Sequence, residues 1–443
     1  MFYKIQVSKG TGLSRQHLPT SLIASFFCLS IAGHAVGEPL SFQSALTEMV
    51  NNNVDVRVQR TKLSASDSQW MAARGAFTPS LSLQAQQQNS NGNALPSALG
   101  SSYSTAKTYS ANATWNLFRS GTDIASLRAA ALNQSAHALT LEDLYLQAED
   151  KSARALLELV AKSQMVDAYR HSEESARHFL EIAQARFAKS LLSREETDKI
   201  AVDASNAEAR RSDAEMQFNE AKASVEALLG HSGVVVDWPW IKVFTATTIN
   251  RWLNSKATSE AIQSRPDIRA ARTTLETEEY RRRSLFRSML PTIDLTYSVG
   301  ETHLPNQTIS AWSSLATLTI PLWNGFKDYS AYRVQVENQS ASEFRLRQLE
   351  KDAKSGIESA QANYRLSLQQ YQLRSRNLTV SKRILDQDVA RFKIGRADAN
   401  ELNLDLTRVT EAEILAIQGA QHAHLSYMQL LHAFGALILE RPE

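Results

Sequence analysis

The distribution of helix-breaking residues constrains this chain more than any other feature. No glycine or proline occurs from Thr122 to Leu229, a run of 108 residues, and no proline occurs between positions 322 and 441. Proline and glycine destabilise a helix interior by about 3 and 1 kcal/mol relative to alanine. The run is rich in Ala, Leu, Glu, Gln, Arg and Lys, which all favour helix. We therefore predict long helices that pack as in a coiled coil rather than a compact globule.

Composition and motifs exclude several classes of protein. A single cysteine excludes a disulfide framework and a thiolate metal cluster, and a formal net charge of +2 argues against a nucleic-acid-binding protein. The chain contains no phosphate-binding glycine loop, nucleophile elbow or HExxH motif. His422 and His424 lack a third metal ligand at a useful spacing. We therefore predict a protein that is not an enzyme and that needs neither metal nor cofactor.

Residues 1–35 have the pattern of a secretory signal peptide. Basic residues precede an apolar run at 22–31, and small residues follow it at positions 33, 35 and 37. An N-terminal membrane anchor is the less favoured alternative, because the apolar run is far shorter than the roughly 20 residues that span a membrane. Cleavage would remove the only cysteine, Cys28, and three basic residues, leaving 45 basic against 46 acidic residues.

The chain contains an internal duplication. At an offset of 212, Asp55 and Pro79 match Asp267 and Pro291; at an offset of 205, Ala185-Arg186-Phe187 matches Ala390-Arg391-Phe392. The two offsets differ because the first half has a longer loop, at about 89–104. The predicted organisation is a signal peptide at 1–35, a first structural repeat at 36–230, a connection at 231–256, a second repeat at 257–437 and a tail at 438–443.

The hydrophobic period changes from 3.6 to 2 once in each repeat. The alternation predicts β-hairpins at about 80–118 and 292–323, with strands of about 10 residues that are apolar on one face and polar on the other. This pattern matches the strands of a transmembrane β-barrel. A soluble sheet packed on helices is the alternative, but the flanking helices are too long to form a compact cover. Aromatic residues near the strand ends suit an interfacial girdle, namely Trp115, Phe118, Trp312 and Trp323.

Four strands cannot close a barrel, since the smallest closed barrels have about 8. An open sheet edge in lipid leaves backbone groups without hydrogen-bond partners, so strands that span a membrane here require an oligomer. The polar strand faces would then line a water-filled lumen, with Gln84, Gln86, Asn112 and Asp294 as candidate lumen residues. The sequence therefore favours a channel over an enzyme.

The predicted helix lengths suit a conduit. A helix from about 123 to 189 would be about 100 Å long at 1.5 Å per residue. Two shorter helices, at about 40–77 and 193–229, sum to nearly the same length. The second repeat gives the same arrangement, with a long helix at about 326–394 and shorter helices at about 257–289 and 397–434.

These features together resemble the TolC-like outer-membrane channel proteins of Gram-negative bacteria. The resemblance covers about residues 38–437. Each motif alone is a weak indication of the family, but the motifs occur in the family's order and in both halves of the chain. The motifs are the strand starts Thr78-Pro79-Ser80-Leu81 and Leu290-Pro291-Thr292-Ile293, the strand ends Trp115-Asn116-Leu117-Phe118 and Ile320-Pro321-Leu322-Trp323-Asn324-Gly325, and the turn Ala390-Arg391-Phe392-Lys393-Ile394-Gly395.

The resemblance implies a mainly α protein with a membrane β-barrel portion. A long antiparallel α-helical tunnel would be joined to four β-strands per chain, which complete a 12-stranded barrel in a homotrimer. The barrel would lie in the outer membrane, and the tunnel would cross the periplasm to meet an adaptor protein and an inner-membrane transporter, either ABC-type or proton-driven. The channel would passively conduct a secreted protein (type I secretion) or small efflux molecules.

The resemblance also implies that the Arg-Phe turns form the periplasmic tip, where the tunnel closes. Phe392 matches a gate aromatic and Glu401 an acidic constriction position, whereas Ser190 and Leu404 replace the glycine and the second acid usual in the family. A plain helical hairpin remains the alternative, since Gly395 suits a helix C-cap. The candidate tip residues are Arg186, Phe187, Glu195, Glu196, Phe392, Gly395, Arg396 and Glu401.

Two other classes of protein share some of these features. A periplasmic coiled-coil adaptor of an export system would also have a signal peptide and helical hairpins. Such an adaptor should carry one coiled coil with lipoyl-like β domains, whereas this chain has two amphipathic β-hairpins. A soluble structural coiled coil would need neither the signal peptide nor the period-2 segments.

Overall fold

A computed structural model describes residues 41–91, 103–233, 255–304, 307–393 and 399–436. The predicted signal peptide, most of the connection between the repeats and the C-terminal tail lie outside these ranges. The described residues form eight helices and four strands: α1 Phe42–Asn52, α2 Val54–Gly75, β1 Ser80–Asn91, β2 Tyr103–Phe118, α3 Thr122–Ala188, α4 Arg194–Leu229, α5 Ser255–Ser264, α6 Pro266–Arg287, β3 Thr292–Leu304, β4 Gln307–Thr319, α7 Lys327–Lys393 and α8 Ala399–Ala433.

The two predicted long helices are confirmed. Helices α3 and α7 each have 67 residues, so each is about 100 Å long. Gly121 precedes α3 with a φ of 79°, a left-handed conformation that glycine adopts without strain. Helix α3 therefore begins directly after a glycine and contains neither glycine nor proline.

Shorter helices pack along each long helix. The Gln59 amide on α2 donates a hydrogen bond to the carbonyl of His137 on α3 at 3.1 Å, and Lys162 on α3 bonds Gln217 on α4 at 2.7 Å. In the second repeat, α6 and α8 pack along α7 in the same way. The predicted arrangement of one long helix beside two shorter helices is correct in both repeats.

The prediction of continuous helices at 40–77 and 257–289 is wrong at one position in each. Helix α1 ends at Asn52, and the Asn53 side chain accepts hydrogen bonds from the backbone N–H groups of Asp55 and Val56, which caps α2. In the second repeat, Pro266 begins α6, and a proline disfavours helical conformation in the residue before it. The two breaks lie at matching positions, 212 residues apart.

The four strands form one antiparallel sheet in the order β1-β2-β3-β4. Each predicted hairpin is present, and β2 pairs with β3 to join the hairpins. A bulge lies between Asn116 and Phe118, so Phe118 rather than Leu117 pairs with Ile293. Beyond Trp115, the apolar face therefore continues at Phe118 rather than at Leu117, because the bulge inserts one residue.

Apolar side chains pack between the helices in several clusters along their length. The largest joins α1, α3 and α4 around buried residues such as Leu46 and Leu156, and another joins α7 and α8 around Tyr364 and Leu430. A third cluster lies where the long helices end. Within the described ranges, no helix combines the length and apolar content that a membrane-spanning helix requires.

Candidate functional site

One face of the sheet is apolar and exposed. The register places Leu83, Ala111, Val299 and Trp312 in one row across all four strands. Leu83 is 87% exposed and Trp312 is 71% exposed. An apolar surface of this extent marks a site of contact with lipid or with another protein.

The opposite face of the sheet carries a row of hydrogen-bonded polar side chains. Asn112 donates a hydrogen bond to the Gln84 side-chain oxygen at 3.2 Å and accepts one from the Ser298 hydroxyl at 2.6 Å. The pairings of Gln86 with Thr108 and of Asp294 with Asn116 put both side chains on this same face. The structure therefore brings all four candidate lumen residues to one face of the sheet.

Three of the four candidate girdle aromatics lie at the helix-proximal end of the sheet. The Trp115 indole donates a hydrogen bond to the carbonyl of Phe77 at 3.1 Å, and Phe118 ends β2. Trp323 makes an edge-to-face contact with Phe326 at 5.3 Å. The prediction that Trp312 lies near a strand end is wrong: it is the sixth residue of the 13-residue strand β4.

The ends of α3, α4, α7 and α8 form an apolar cluster around Phe392. The ring of Phe392 packs with Ala183, Ile200 and Leu402, and the residue is only 2% exposed. Its counterpart in the first repeat, Phe187, is 45% exposed. The duplicated Arg-Phe motif therefore has two different environments, and in this arrangement Phe392 packs inside the tip.

Arg186 connects the two repeats at this tip. Its guanidinium donates a hydrogen bond to the carbonyl oxygen of Phe392 at 2.5 Å and lies 4.1 Å from the centre of the Phe392 ring. A cation–π contact of this kind contributes about 0.5–2 kcal/mol. Nearby, Asn403 on α8 donates a hydrogen bond to the Asp203 carboxylate on α4. These contacts hold the ends of the two helical hairpins together.

The acidic tip residues of the first repeat have local partners. Glu196 forms a capping box with Ser193, whose backbone N–H donates to the Glu196 carboxylate at 2.9 Å. The hydrogen bonds from Ser193 lower the pKa of Glu196, and those from Lys199, at 2.8 Å, lower the pKa of Glu195. Both carboxylates therefore stabilise the start of α4 as anions.

The second repeat places Glu401 in the first turn of α8, exposed to solvent. Candidate residues Gly395 and Arg396 lie outside the described residues. In the first repeat, Ser190 has a φ of 58° in the turn after α3. A left-handed conformation at this position favours glycine, which adopts it without strain.

Sequence reasoning missed two buried carboxyl groups close to this tip. Asp388 on α7 and Asp405 on α8 are 6% and 4% exposed. Both occupy positions on the apolar stripes of their helices, beside Leu385 and Val389 and beside Leu402 and Leu406. The signal that could have identified them is therefore an acidic residue at a core position of an amphipathic helix.

The fold and its two sheet faces are those of an outer-membrane channel protein. The chain matches the model of the family described as outer membrane efflux protein over residues 45–231 and 257–436. The match covers most of the chain, which therefore belongs to the outer membrane efflux protein family. The family and the fold are those of channels rather than of enzymes.

Solved structures of outer-membrane proteins share this fold. The chain is similar to the CmeC outer membrane channel of Campylobacter jejuni, with 15% identity, a TM-score of 0.74 and coverage of 96% of this chain and 94% of that chain. It is also similar to the outer membrane protein VceC of Vibrio cholerae, with 16% identity, a TM-score of 0.76 and coverage of 88% and 95%. The open-state MtrE outer membrane channel of Neisseria gonorrhoeae gives 19% identity, a TM-score of 0.75 and coverage of 89% and 88%. No curated protein sequence matches the chain.

Proposed function

We propose that this protein is the outer-membrane exit channel of a tripartite export system and that it acts as a homotrimer. Three sheets would close a 12-stranded barrel in the outer membrane, and the helices would continue as a tunnel through the periplasm. The channel would conduct its cargo passively, with energy supplied by an inner-membrane transporter.

The observation that carries this proposal is the open sheet. Among the described strands, β1 and β4 each have a single neighbour, so each leaves one edge without partners. In lipid, each unsatisfied backbone group costs several kcal/mol. Strands β1 and β4 have 12 and 13 residues, so pairing between the β1 edge of one copy and the β4 edge of the next would satisfy both edges.

The two sheet faces support the same arrangement. Closing the barrel with the row of Leu83 and Trp312 outward puts apolar side chains against lipid. The row of Gln84, Asn112 and Ser298 then faces the interior, where water satisfies polar groups. Polar lumen and apolar exterior are the division that a water-filled membrane channel requires.

The helix ends support a gate at the periplasmic tip. The link from Arg186 to Phe392 joins the two hairpins of one chain, and its release would let them separate. Glu401 would form a ring of three carboxylates in the trimer, which favours cations. Glu401→Ala should therefore change cation block or cation selectivity, and unchanged conductance and selectivity would exclude this role.

The partners would be a periplasmic adaptor protein and a transporter that is either ABC-type or proton-driven. The family description as an efflux protein supports small molecules as cargo, and a secreted protein is the alternative. Deleting the gene and measuring drug susceptibility and secreted protein in the same strain would separate the two. Increased susceptibility with normal secretion supports efflux, whereas lost secretion with unchanged susceptibility supports protein export.

Membrane fractionation combined with planar-bilayer recording tests the channel itself. We expect the protein in the outer-membrane fraction, as a trimer that resists mild SDS and that conducts ions after reconstitution. Recovery as a soluble periplasmic monomer, or a membrane protein that never conducts, would contradict the proposal.

A further inference from the structure

Four helices near the tip form an open row in the order α7-α8-α3-α4. Lys382 on α7 donates a hydrogen bond to Glu413 on α8 at 2.9 Å. Thr410 on α8 donates a hydrogen bond to Ser172 on α3 at 2.9 Å. Helices α3 and α4 pack together as a hairpin, whereas within the described ranges α4 and α7 do not contact each other. Helices α4 and α7 are therefore the two edges of this row, just as β1 and β4 are the two edges of the sheet.

The free face of α4 carries an exposed apolar row. Val202, Ala209 and Met216 recur every seven residues, so they lie along one face of the helix. Val202 is 59% exposed and Met216 is 55% exposed. Ala204 and Ala214, on the other side of α4, are buried. An exposed apolar row with this spacing is the surface that a helix presents to a neighbouring helix in a coiled coil.

The free face of α7 carries a matching row. Leu366, Leu373 and Val380 also recur every seven residues, and they are 55%, 52% and 44% exposed. Ile357 and Tyr364, which pack against α8, are buried on the other side of α7. Each row spans 14 residues, or about 21 Å. The rows on α4 and α7 are therefore equal in length.

Both rows lie near the tip. Val202 is eight residues after Arg194, where α4 begins, and Val380 is thirteen residues before Lys393, where α7 ends. Helix α4 runs away from the tip and α7 runs toward it. The two rows can therefore face each other as antiparallel helices in neighbouring copies of the chain.

The two edges have opposite charge. Helix α4 contains nine acidic and five basic residues, and the exposed Asp213 and Glu220 flank Met216. The α7 segment 359–385 contains five basic residues and no acidic residue. Three of these basic residues are exposed next to the apolar row, namely Arg365, Arg376 and Arg383. Within the described part of the chain, none of these five exposed charged side chains forms an ion pair.

This separation of charge selects one kind of contact between copies. Two α4 edges would bring acidic surfaces together, and two α7 edges would bring basic surfaces together, so two-fold dimers of either kind are opposed by like charges. A contact between the α4 edge of one copy and the α7 edge of the next joins opposite charges. Such a head-to-tail contact generates a ring when the rotation between copies closes.

We propose that the acidic edge of α4 and the basic edge of α7 recognise each other between neighbouring copies of this chain. Their opposite charges direct the copies into a head-to-tail ring and away from a two-fold dimer. The number of copies rests on the homotrimer proposed above. The identity of the two edges rests on the exposed rows and on their charges.

Disulfide cross-linking of the full-length protein in outer membranes tests the contact. Ala209→Cys would be combined in turn with Leu366→Cys, Leu373→Cys and Val380→Cys; the only native cysteine, Cys28, lies in the predicted signal peptide. A disulfide requires Cα atoms closer than about 7 Å. We expect oxidation to give covalently closed trimers with at least one of the three combinations, and the position that reacts defines the register.

Two controls show whether the cross-link reports this contact. Ala209→Cys alone should not form a disulfide, because two α4 edges do not meet in a head-to-tail ring. Ala209→Cys with Phe344→Cys should not react either. Phe344 is exposed on α7 but lies 22 residues, or about 33 Å, from Leu366. A dimer of the single variant, or a cross-link to a different protein in place of a second copy, would contradict the proposal.

Reversing the charges tests their role in assembly. The triple variant Arg365→Glu, Arg376→Glu, Arg383→Glu should slow trimer formation during refolding about tenfold or more at low salt. The difference should shrink at about 1 M salt, where the Debye length is about 3 Å. Asp213→Lys with Glu220→Lys should slow assembly in the same way, and the five changes together should restore much of the rate. Unchanged rates in both partial variants, or no recovery in the combined variant, would overturn the role of charge.

The same proteins separate this proposal from the proposed function. Covalent trimers that never conduct ions in planar bilayers would contradict the channel and support the contact between α4 and α7. A conducting trimer that cross-links in none of the three combinations would support the channel and contradict this contact.

Discussion

Replacing Leu83 with arginine tests which face of the sheet meets lipid. Leu83 is 87% exposed, so the substitution removes little packing within the chain. It pairs with Ala111, four residues along β2 from Trp115 at the helix-proximal end of the sheet. At about 3.4 Å per residue and a strand tilt of about 40°, Leu83 lies about 10 Å above the level of Trp115. That depth is close to the middle of an apolar band about 25 Å tall.

An arginine on the lipid face near the midplane destabilises a membrane barrel by about 2–4 kcal/mol. In the homotrimer proposed above, three copies of Leu83→Arg should destabilise the barrel by about 6–12 kcal/mol. The two neighbouring positions serve as controls, because Ser82 and Gln84 lie on the opposite face. Ser82→Arg should be tolerated, and Gln84→Arg should cost only about the 0.5–1.5 kcal/mol of its hydrogen bond with Asn112.

The assay is urea unfolding of the protein refolded in lipid vesicles, followed by the loss of SDS-resistant oligomer. The account predicts a large drop in the unfolding midpoint for Leu83→Arg and small changes for the two controls. Equal effects at all three positions, or a larger effect at Ser82 and Gln84, would refute the assignment of the faces.

Three further substitutions test other parts of the structure. Ser190→Gly removes the strain of a non-glycine residue in the left-handed conformation at φ 58°. The resulting stabilisation of about 1 kcal/mol should slow amide hydrogen exchange in the turn about fivefold. Unchanged exchange rates would contradict the presence of strain at Ser190. Arg186→Ala should raise single-channel conductance by freeing the tip, with Arg186→Lys intermediate because lysine lacks the planar fork; unchanged currents would exclude a gating contact. Gly300→Ala puts a methyl carbon 2.5 Å from the carbonyl oxygen of Tyr109, so it should lower the melting temperature. The control Gly356→Ala meets nothing within 4 Å and should raise the melting temperature slightly. Similar shifts for both variants would contradict the close contact at Gly300.

The long helices and the strands were predictable because their signals are periodic and repeated. A run without glycine or proline identified α3, and alternation identified β1 and β3. The helix break at Asn53 was missed because its cap is a single polar side chain that resembles any surface asparagine. The corresponding break at Pro266 was also missed, although a proline does signal it, and the duplication would then have transferred that break to the first repeat.

The site was predictable in its faces but not in its contacts. Successive side chains of a strand point to opposite faces, so Gln84 and Asn112 could be assigned to the polar face from the sequence alone. The burial of Phe392 and its contact with Arg186 depend on how α3 and α7, which are 206 residues apart at that contact, meet in space. The bulge before Phe118 likewise depends on pairing with β3, which lies more than 170 residues away.

The number of copies in the native assembly tests the central claim most directly, because a four-stranded sheet can be one third of a 12-stranded barrel only in a trimer. Native mass spectrometry of the full-length protein extracted from outer membranes in mild detergent would count the copies. The account predicts an assembly of three identical chains. A monomer or a dimer as the main species would contradict it.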